Sequence, residues 1–281
     1  MRRAFLLLAV LVAAAAATAT AADRPLAYDT AVTVTRDIGV RPSASSGERR
    51  TLDLLARRFR TAGLHVVRQH FRVPGRGLSG NVIGERPGPR RCLVIAMAHV
   101  DSGTEGPGAS DNASGTGVVA ALAADLDRLA PACTVWLVGT GGEERFVAGT
   151  RDHLGAIALV ARVRRLGLAR RLRLALSVDT VGTGRRYWLR SPVARPRAGV
   201  ERSLLAAARA RHVTVEWHRD DAQGNSDHRE FALAGLPAMV IEMWKGSDPC
   251  SEKACDTWRR LSRPGIESVR AIAGDVLRGA R

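Results

Sequence analysis

The chain has 281 residues; about 260 remain once a short apolar leader is set aside, long for one domain but within reach of a single α/β unit. The net charge is +16, and nearly all of the positive charge is arginine, Lys245 and Lys253 being the only lysines. Aromatic residues make up 4 % and no nucleic-acid-binding motif accompanies the arginines, so no nucleic acid partner is expected; loose attraction to an anionic envelope or cell-wall surface is compatible with the charge.

Residues 1–21 read as a signal peptide. Arg2 and Arg3 form a positive start, Phe5 to Ala17 an apolar stretch, and Ala19-Thr20-Ala21 a small-residue cleavage site. No Cys follows for a lipid anchor, and no later stretch is long and apolar enough to cross a bilayer, so the expectation is a secreted or extracytoplasmic protein of the periplasm or cell envelope. Residues 22–38 read as a polar lead-in and residues 39–281 as one domain. Leu52, Leu54, Leu55 and Phe59 form the apolar stripe of a helix from Ser46 to Ala62, stopped by Gly63. Val66 to Val73 and Asn81 to Gly84 read as strands, and the continuous apolar run Cys92 to Met97 as a strand covered on both faces. Ser114 to Leu129 is a helix with Val118, Val119, Leu122 and Leu126 on one side, and Thr134 to Val138 is another buried strand. Helices over Ala156 to Leu166, Glu201 to Arg211, Glu230 to Ala234 and Glu267 to Leu277 alternate with strands over Arg171 to Val178, Tyr187 to Arg190, Val213 to Trp217 and Ala238 to Met243. That alternation predicts an α/β fold: a single-domain three-layer sandwich whose mixed, largely parallel sheet carries helices on both faces.

Ligands of such sheets bind beyond the carboxyl ends of the strands. There this chain places His99 and Asp101, then Asp111 after a Gly/Ser-rich loop, the adjacent pair Glu143-Glu144, and Asp179. Each has an ordinary explanation alone: a satisfied buried histidine, a helix cap, a solvated helix start, a turn residue. Together they are acids that repel one another unless cations are present, and hard or borderline cations accept carboxylate and imidazole together. A metal site is therefore expected. Cys250 and Cys255 bracket four residues and are read as closing a small loop in an oxidising compartment. Cys92 and Cys133 each begin a predicted strand; they pair if those strands are neighbours, or lie buried as free thiols. Trp217, Trp244 and Trp258 are candidates for the wall of a substrate pocket, with core packing the alternative.

The ordered set resembles the M28 peptidases, co-catalytic zinc aminopeptidases. It runs through Gly39-Val40-Arg41-Pro42-Ser43, Asn81-Val82-Ile83-Gly84, His99-Val100-Asp101-Ser102, Gly108 to Gly115, Glu143-Glu144, Val178 to Gly182, Ser226-Asp227-His228 and Asp256-Thr257. The resemblance implies a catalytic domain over residues 39–281, two zinc sites, and a peptide or aminoacyl substrate. His99 and Asp179 would hold one zinc, Asp111 would bridge to the second, and Glu144 would bind that second ion. Glu143 would be the general base and Asp101 would orient the His99 ring. The resemblance also implies a cis peptide at Asp111-Asn112.

The chain departs from its relatives in one loop. They take a last zinc ligand, a His, from just before an Asp-Thr or Asp-Ser pair; matching the cysteines puts Glu252 there, after Ser251. Three readings stay open: Glu252 ligates, His228 substitutes, or the second site is weakened. The first is preferred and makes an all-oxygen second site, tolerant of manganese or magnesium. The leading functional expectation is an exported metallo-aminopeptidase. A single-zinc enzyme like the glutaminyl cyclases, or a catalytically silent binding protein on the same scaffold, are the alternatives. Oligomeric state and side-chain preference are not encoded in any motif.

Overall fold

Among the described residues eight strands form one sheet: β1 (His65–Val73), β2 (Gly77–Arg86), β3 (Arg90–His99), β4 (Cys133–Thr140), β5 (Leu172–Val178), β6 (Arg186–Ser191), β7 (Thr214–Arg219) and β8 (Ala238–Met243). The computed structural model describes residues 27–145, 151–220, 225–244 and 248–281, so the signal-peptide reading lies outside the described residues. The strand order is β1-β2-β4-β3-β5-β8-β6-β7. Its centre, β4-β3-β5-β8, is parallel; β2 joins β4 and β6 joins β8 antiparallel, which makes the sheet mixed as expected. The Gly77 to Gly80 segment had no strand pattern of its own. It is drawn into β2 by pairing with β1, from Val73↔Gly77 to His70↔Gly80.

The alternation along β3 sorts the core into two layers. Val94, Ala96 and Ala98 face one cluster, and Leu93, Ile95 and Met97 face the other. Among the described residues seven α-helices cover the sheet: α1 (Ala27–Thr33), α2 (Ser46–Thr61), α3 (Ser114–Leu129), α4 (Leu154–Arg165), α5 (Glu201–Ala210), α6 (His228–Leu233) and α7 (Arg263–Gly279). Helices α1, α2, α3, α5 and α7 supply the first cluster, and α4 and α6 close the second through Leu159, Val163 and Phe231. The N-terminus of α2 is set by Ser45, whose side chain accepts from the Glu48 N–H; Ser262 does the same for α7 at Gly265. Among the described residues no helix is long and apolar enough to cross a membrane.

The stretch read as a polar lead-in is helical where it is described. Helix α1 runs into a π-helical turn, Val34–Ile38, and Ala27, Ala31 and Val34 are fully buried. Its backbone lies so close to α3 that a Cβ on Gly117 would fall 2.2 Å from the Ala27 carbonyl oxygen. A second close approach sets the site. A Cβ on Gly115 would fall 2.1 Å from the Val178 carbonyl oxygen, so glycine lets the start of α3 press against the end of β5. Both cystines form. Cys92–Cys133 joins the neighbouring strands β3 and β4, and Cys250–Cys255 closes its small loop.

Candidate metal centre

His99 is the last residue of β3 and is buried. Its carbonyl accepts from Thr116 Oγ1 of α3 at 3.0 Å. Ring Nδ1 lies 3.2 Å from the Asp101 carbonyl oxygen, which turns Nε2 toward Asp111 Oδ1 at 3.1 Å and Asp179 Oδ1 at 3.4 Å. Asp111 arrives by the turn before α3. The Asp256 carboxylate accepts the Ser110 and Asp111 N–H groups, at 2.9 and 3.1 Å, and fixes that turn. The Asp111–Asn112 peptide is cis. Asn112 then ties the turn to the next donor: its Nδ2 donates to the Val178 carbonyl at 2.9 Å, and its Oδ1 accepts from the Gly115 and Thr180 N–H groups. Asp179 follows β5 directly, its N–H held by the Ile241 carbonyl of β8.

The Glu143-Glu144 pair rides on the loop after β4, whose first four N–H groups are each claimed by a buried acceptor. Gly141 donates to Asn81 Oδ1, Gly142 to Glu48 Oε1, Glu143 to Asp101 Oδ1 and Glu144 to Asp101 Oδ2. Asp101 also accepts from Ser43 Oγ at 2.7 Å. Its carboxylate, expected to orient His99, is 3.7 Å from ring Nδ1 and mainly organises this loop; the closer contact to the ring is the Asp101 main-chain oxygen. Arg41 is wholly buried beside the same loops and donates to the Val100, Gly39, Pro107 and Gly108 carbonyls.

Among the described residues two donor groups result: His99, Asp111 and Asp179, and His99, Glu143 and Glu144, the ligand atoms of each group lying within 4.8 Å of one another. Burial and the like charge of Asp111 and Glu143 push the Glu144 carboxyl well above the carboxylate range, and burial raises Glu143 to about 7. Burial works against a charged His99 ring, yet Glu143 and Asp179 outweigh it and hold the ring well above its ordinary value. Oxygen donors crowded around one imidazole, with Glu143 and Glu144 drawn toward their protonated forms for want of countercharge, fit a divalent cation such as zinc.

Glu252 joins neither group. It is exposed, at φ 60°, and faces Glu144 across a cavity of about 540 Å³ that Gly103, Glu105 and Arg145 also line. The nearer side chain of its loop is Ser251, whose Oγ donates to Asp111 Oδ2 at 3.3 Å. His228 joins neither group either; its Nε2 is 2.8 Å from Asp220 Oδ2. Trp217 and Trp258 rest against the first core cluster, whereas Trp244 is exposed. Glu48, an acceptor for this loop, and His153, whose Nε2 lies 3.0 Å from Glu143 Oε1, went unread in the sequence, and Asn81 and Asp256 stood only within motifs, with no sign that they accept from and clamp these turns. Burial lifts Glu48 to about 8 and Asp256 to about 6, while Glu143 and Glu230 overcome burial to lift His153 to about 10. No motif marks Glu48 or His153, because each is defined by a partner distant in the chain.

An α/β sheet with imidazole and carboxylate donors at its strand ends is the architecture of a metallohydrolase. Residues 81–277 match the description of peptidase family M28, and the chain belongs to that family. The sequence is 23 % identical to leupeptin-inactivating enzyme 1 of Streptomyces exfoliatus over 250 residues, covering 82 % of this chain and 54 % of that protein. The chain spans about half the length of the curated relatives it matches. Its fold is that of a zinc aminopeptidase from Bacillus subtilis, with a TM-score of 0.80, 15 % identity, and coverage of 89 % of this chain and 93 % of that one. A glutaminyl cyclase from Fimbriiglobus ruber shares the fold as well, with a TM-score of 0.75, 21 % identity, and coverage of 92 % and 96 %.

Proposed function

We propose that the protein is an exported, metal-dependent aminopeptidase that hydrolyses the N-terminal bond of peptides. The observation that carries this reading is that one buried imidazole, His99, is shared by two donor groups, with an acid of raised proton affinity, Glu143, inside one of them. A divalent ion held there supplies Lewis-acid polarisation and makes water acidic enough to attack at neutral pH. Glu143 takes the proton of the attacking water on Oε2, the oxygen turned from His153, and returns it to the leaving amine. Asp101 holds the loop that presents it. Asp111 and Asp179 would receive the retained cation together with His99, and with Glu144 they form the acidic surroundings into which a free N-terminal amine fits. Two cystines support passage through an oxidising compartment.

The second site is proposed as the weaker one. Asp111 and Glu144 would be joined by Glu252 from across the cavity, an oxygen-only set that exchanges its ion and accepts manganese or magnesium. Metal analysis of the purified protein is expected to find one retained zinc and one exchangeable ion. The function is tested with a panel of aminoacyl-nitroanilides, with and without chelator, beside a Glu143→Ala variant. Turnover should vanish with chelator and fall by roughly 10²- to 10⁴-fold in the variant, with zinc retained. Chelator-insensitive cleavage, or full activity in the variant, would remove the reading. Ammonia release from N-terminal glutamine without nitroanilide cleavage would favour the cyclase reaction instead.

A further inference from the structure

His153 grips Glu143 twice. It stands at the head of α4 in the left-handed region, φ 52° and ψ 34°, and its N–H donates to the Glu143 carbonyl at 3.0 Å. The next two N–H groups, of Leu154 and Gly155, donate to the Gly142 and Gly141 carbonyls at 2.8 and 3.0 Å. The segment is thus laid along the loop that carries the proposed base, and the Asn81 side chain links the two from the side. The unusual backbone angle at His153 is what turns its ring back onto the same residue its N–H holds. Ring Nε2 lies 3.0 Å from Glu143 Oε1, while Nδ1 faces Glu230 Oε1 at 3.6 Å and Asp152 Oδ1 at 3.8 Å.

The environment is not that of a packing histidine. The ring is wholly buried, and among the described residues its contacts are close approaches to carboxylate oxygens, Glu143 nearest, with no second, better-directed partner for either nitrogen. A buried polar ring left so is retained for a reason other than cohesion. What surrounds it is acidic: Glu143 in front, Asp152 and Glu230 behind, with Arg151 and Arg229 countering those two rear carboxylates from outside. The rear pair is thereby occupied, and Glu143 is the carboxylate the ring approaches most closely.

We propose that His153 is a positioning residue for Glu143: it pins one carboxylate oxygen, so that the other is held toward the donor groups in a single orientation. The inference rests on reading Glu143 as the base. A carboxylate free to rotate would present its oxygen correctly only part of the time, and misplacement on the order of 1 Å reduces rate by about 10²-fold without weakening substrate binding.

The test uses the full mature chain loaded with zinc and compares wild type, His153→Phe and His153→Gln. In H153F, kcat is expected to fall roughly 10- to 100-fold, with KM and zinc content little changed. H153Q, which keeps a donor in the same space, should recover part of that loss. Imidazole nitrogen NMR of the metal-free protein gives a readout independent of turnover: the His153 signals should shift on Glu143→Gln. H153F with wild-type kcat, loss of zinc alongside activity in both variants, or imidazole signals indifferent to Glu143→Gln would each overturn the inference alone. A wild type without chelator-sensitive turnover would overturn the peptidase reading, and this inference with it.

Discussion

The ends of β3 and β5 and the loop closed by Cys250–Cys255 treat their carboxylates in opposite ways. At the strand ends each donor is buried or half-buried and its main chain is held by acceptors from other elements: Asp256 beneath Asp111, Ile241 beside Asp179, Asp101 under the glutamate pair. In the cystine loop Glu252 is exposed, and the bonds that fix the loop are local turns such as Cys250 N–H to Asp248 Oδ1. The difference separates donors that the fold has already brought together from a donor that must still reach its ion. Preorganised ligands bind without the loss of side-chain freedom that a reaching ligand suffers.

The comparison breaks most readily at the residue both donor groups share. His99→Ala should abolish zinc retention and lower turnover by about 10³-fold or more, since the Lewis-acid contribution is several kcal/mol. Retained zinc in that variant, measured by metal analysis, would mean that the strand-end donors are not the holding site. A second measurement sharpens the contrast through pH. Glu48, Glu143 and Asp256 keep their protons to about 8, 7 and 6 in the folded chain, above the ordinary carboxylate range that the unfolded chain follows. The folded state therefore binds more protons than the unfolded one across that interval, and stability falls as pH rises from about 5 to 8. His153, held at about 10, adds a loss of the same sign above its unfolded value. Chelated protein should melt lower at pH 8 than at pH 5, its unfolding free energy being smaller by on the order of a few kcal/mol, and added zinc should stabilise it more at the higher pH. A chelated protein that melts higher at pH 8 would contradict the buried-acid account. The smallest effect is expected at the reaching donor. Glu252→Gln should leave the retained zinc in place and change turnover by less than about tenfold, seen chiefly as a higher manganese requirement. Loss of the retained zinc in that variant would erase the distinction between the two regions.

Much of the scaffold was legible in local pattern. The apolar run of β3, the bounds of α3 and those of β8 follow from hydrophobic period and breaker residues. The strand-end donors were also legible, because a strand that ends in His99 or precedes Asp179 announces where those side chains emerge. What escaped depends on contact rather than pattern. Helix α1 is short and is fixed by burial against α3, so its polar-looking residues gave no stripe to read. His153 lies before the helix expected from Ala156, and nothing in its neighbours reveals that the chain turns left-handed there and faces Glu143. Glu252 shows the converse. Aligning the cysteines locates a position along the chain but not a direction in space, and Ser251 is the residue of that loop that touches Asp111.

The Cys92–Cys133 crosslink sits where β3 and β4 begin, whereas His99 and Thr140 stand where they finish. Seven residues of extended chain put roughly 23 Å between staple and imidazole. A thiol reductant and a sequestering agent would therefore act on opposite poles of the same two strands, one loosening the floor of the sheet and the other emptying its rim.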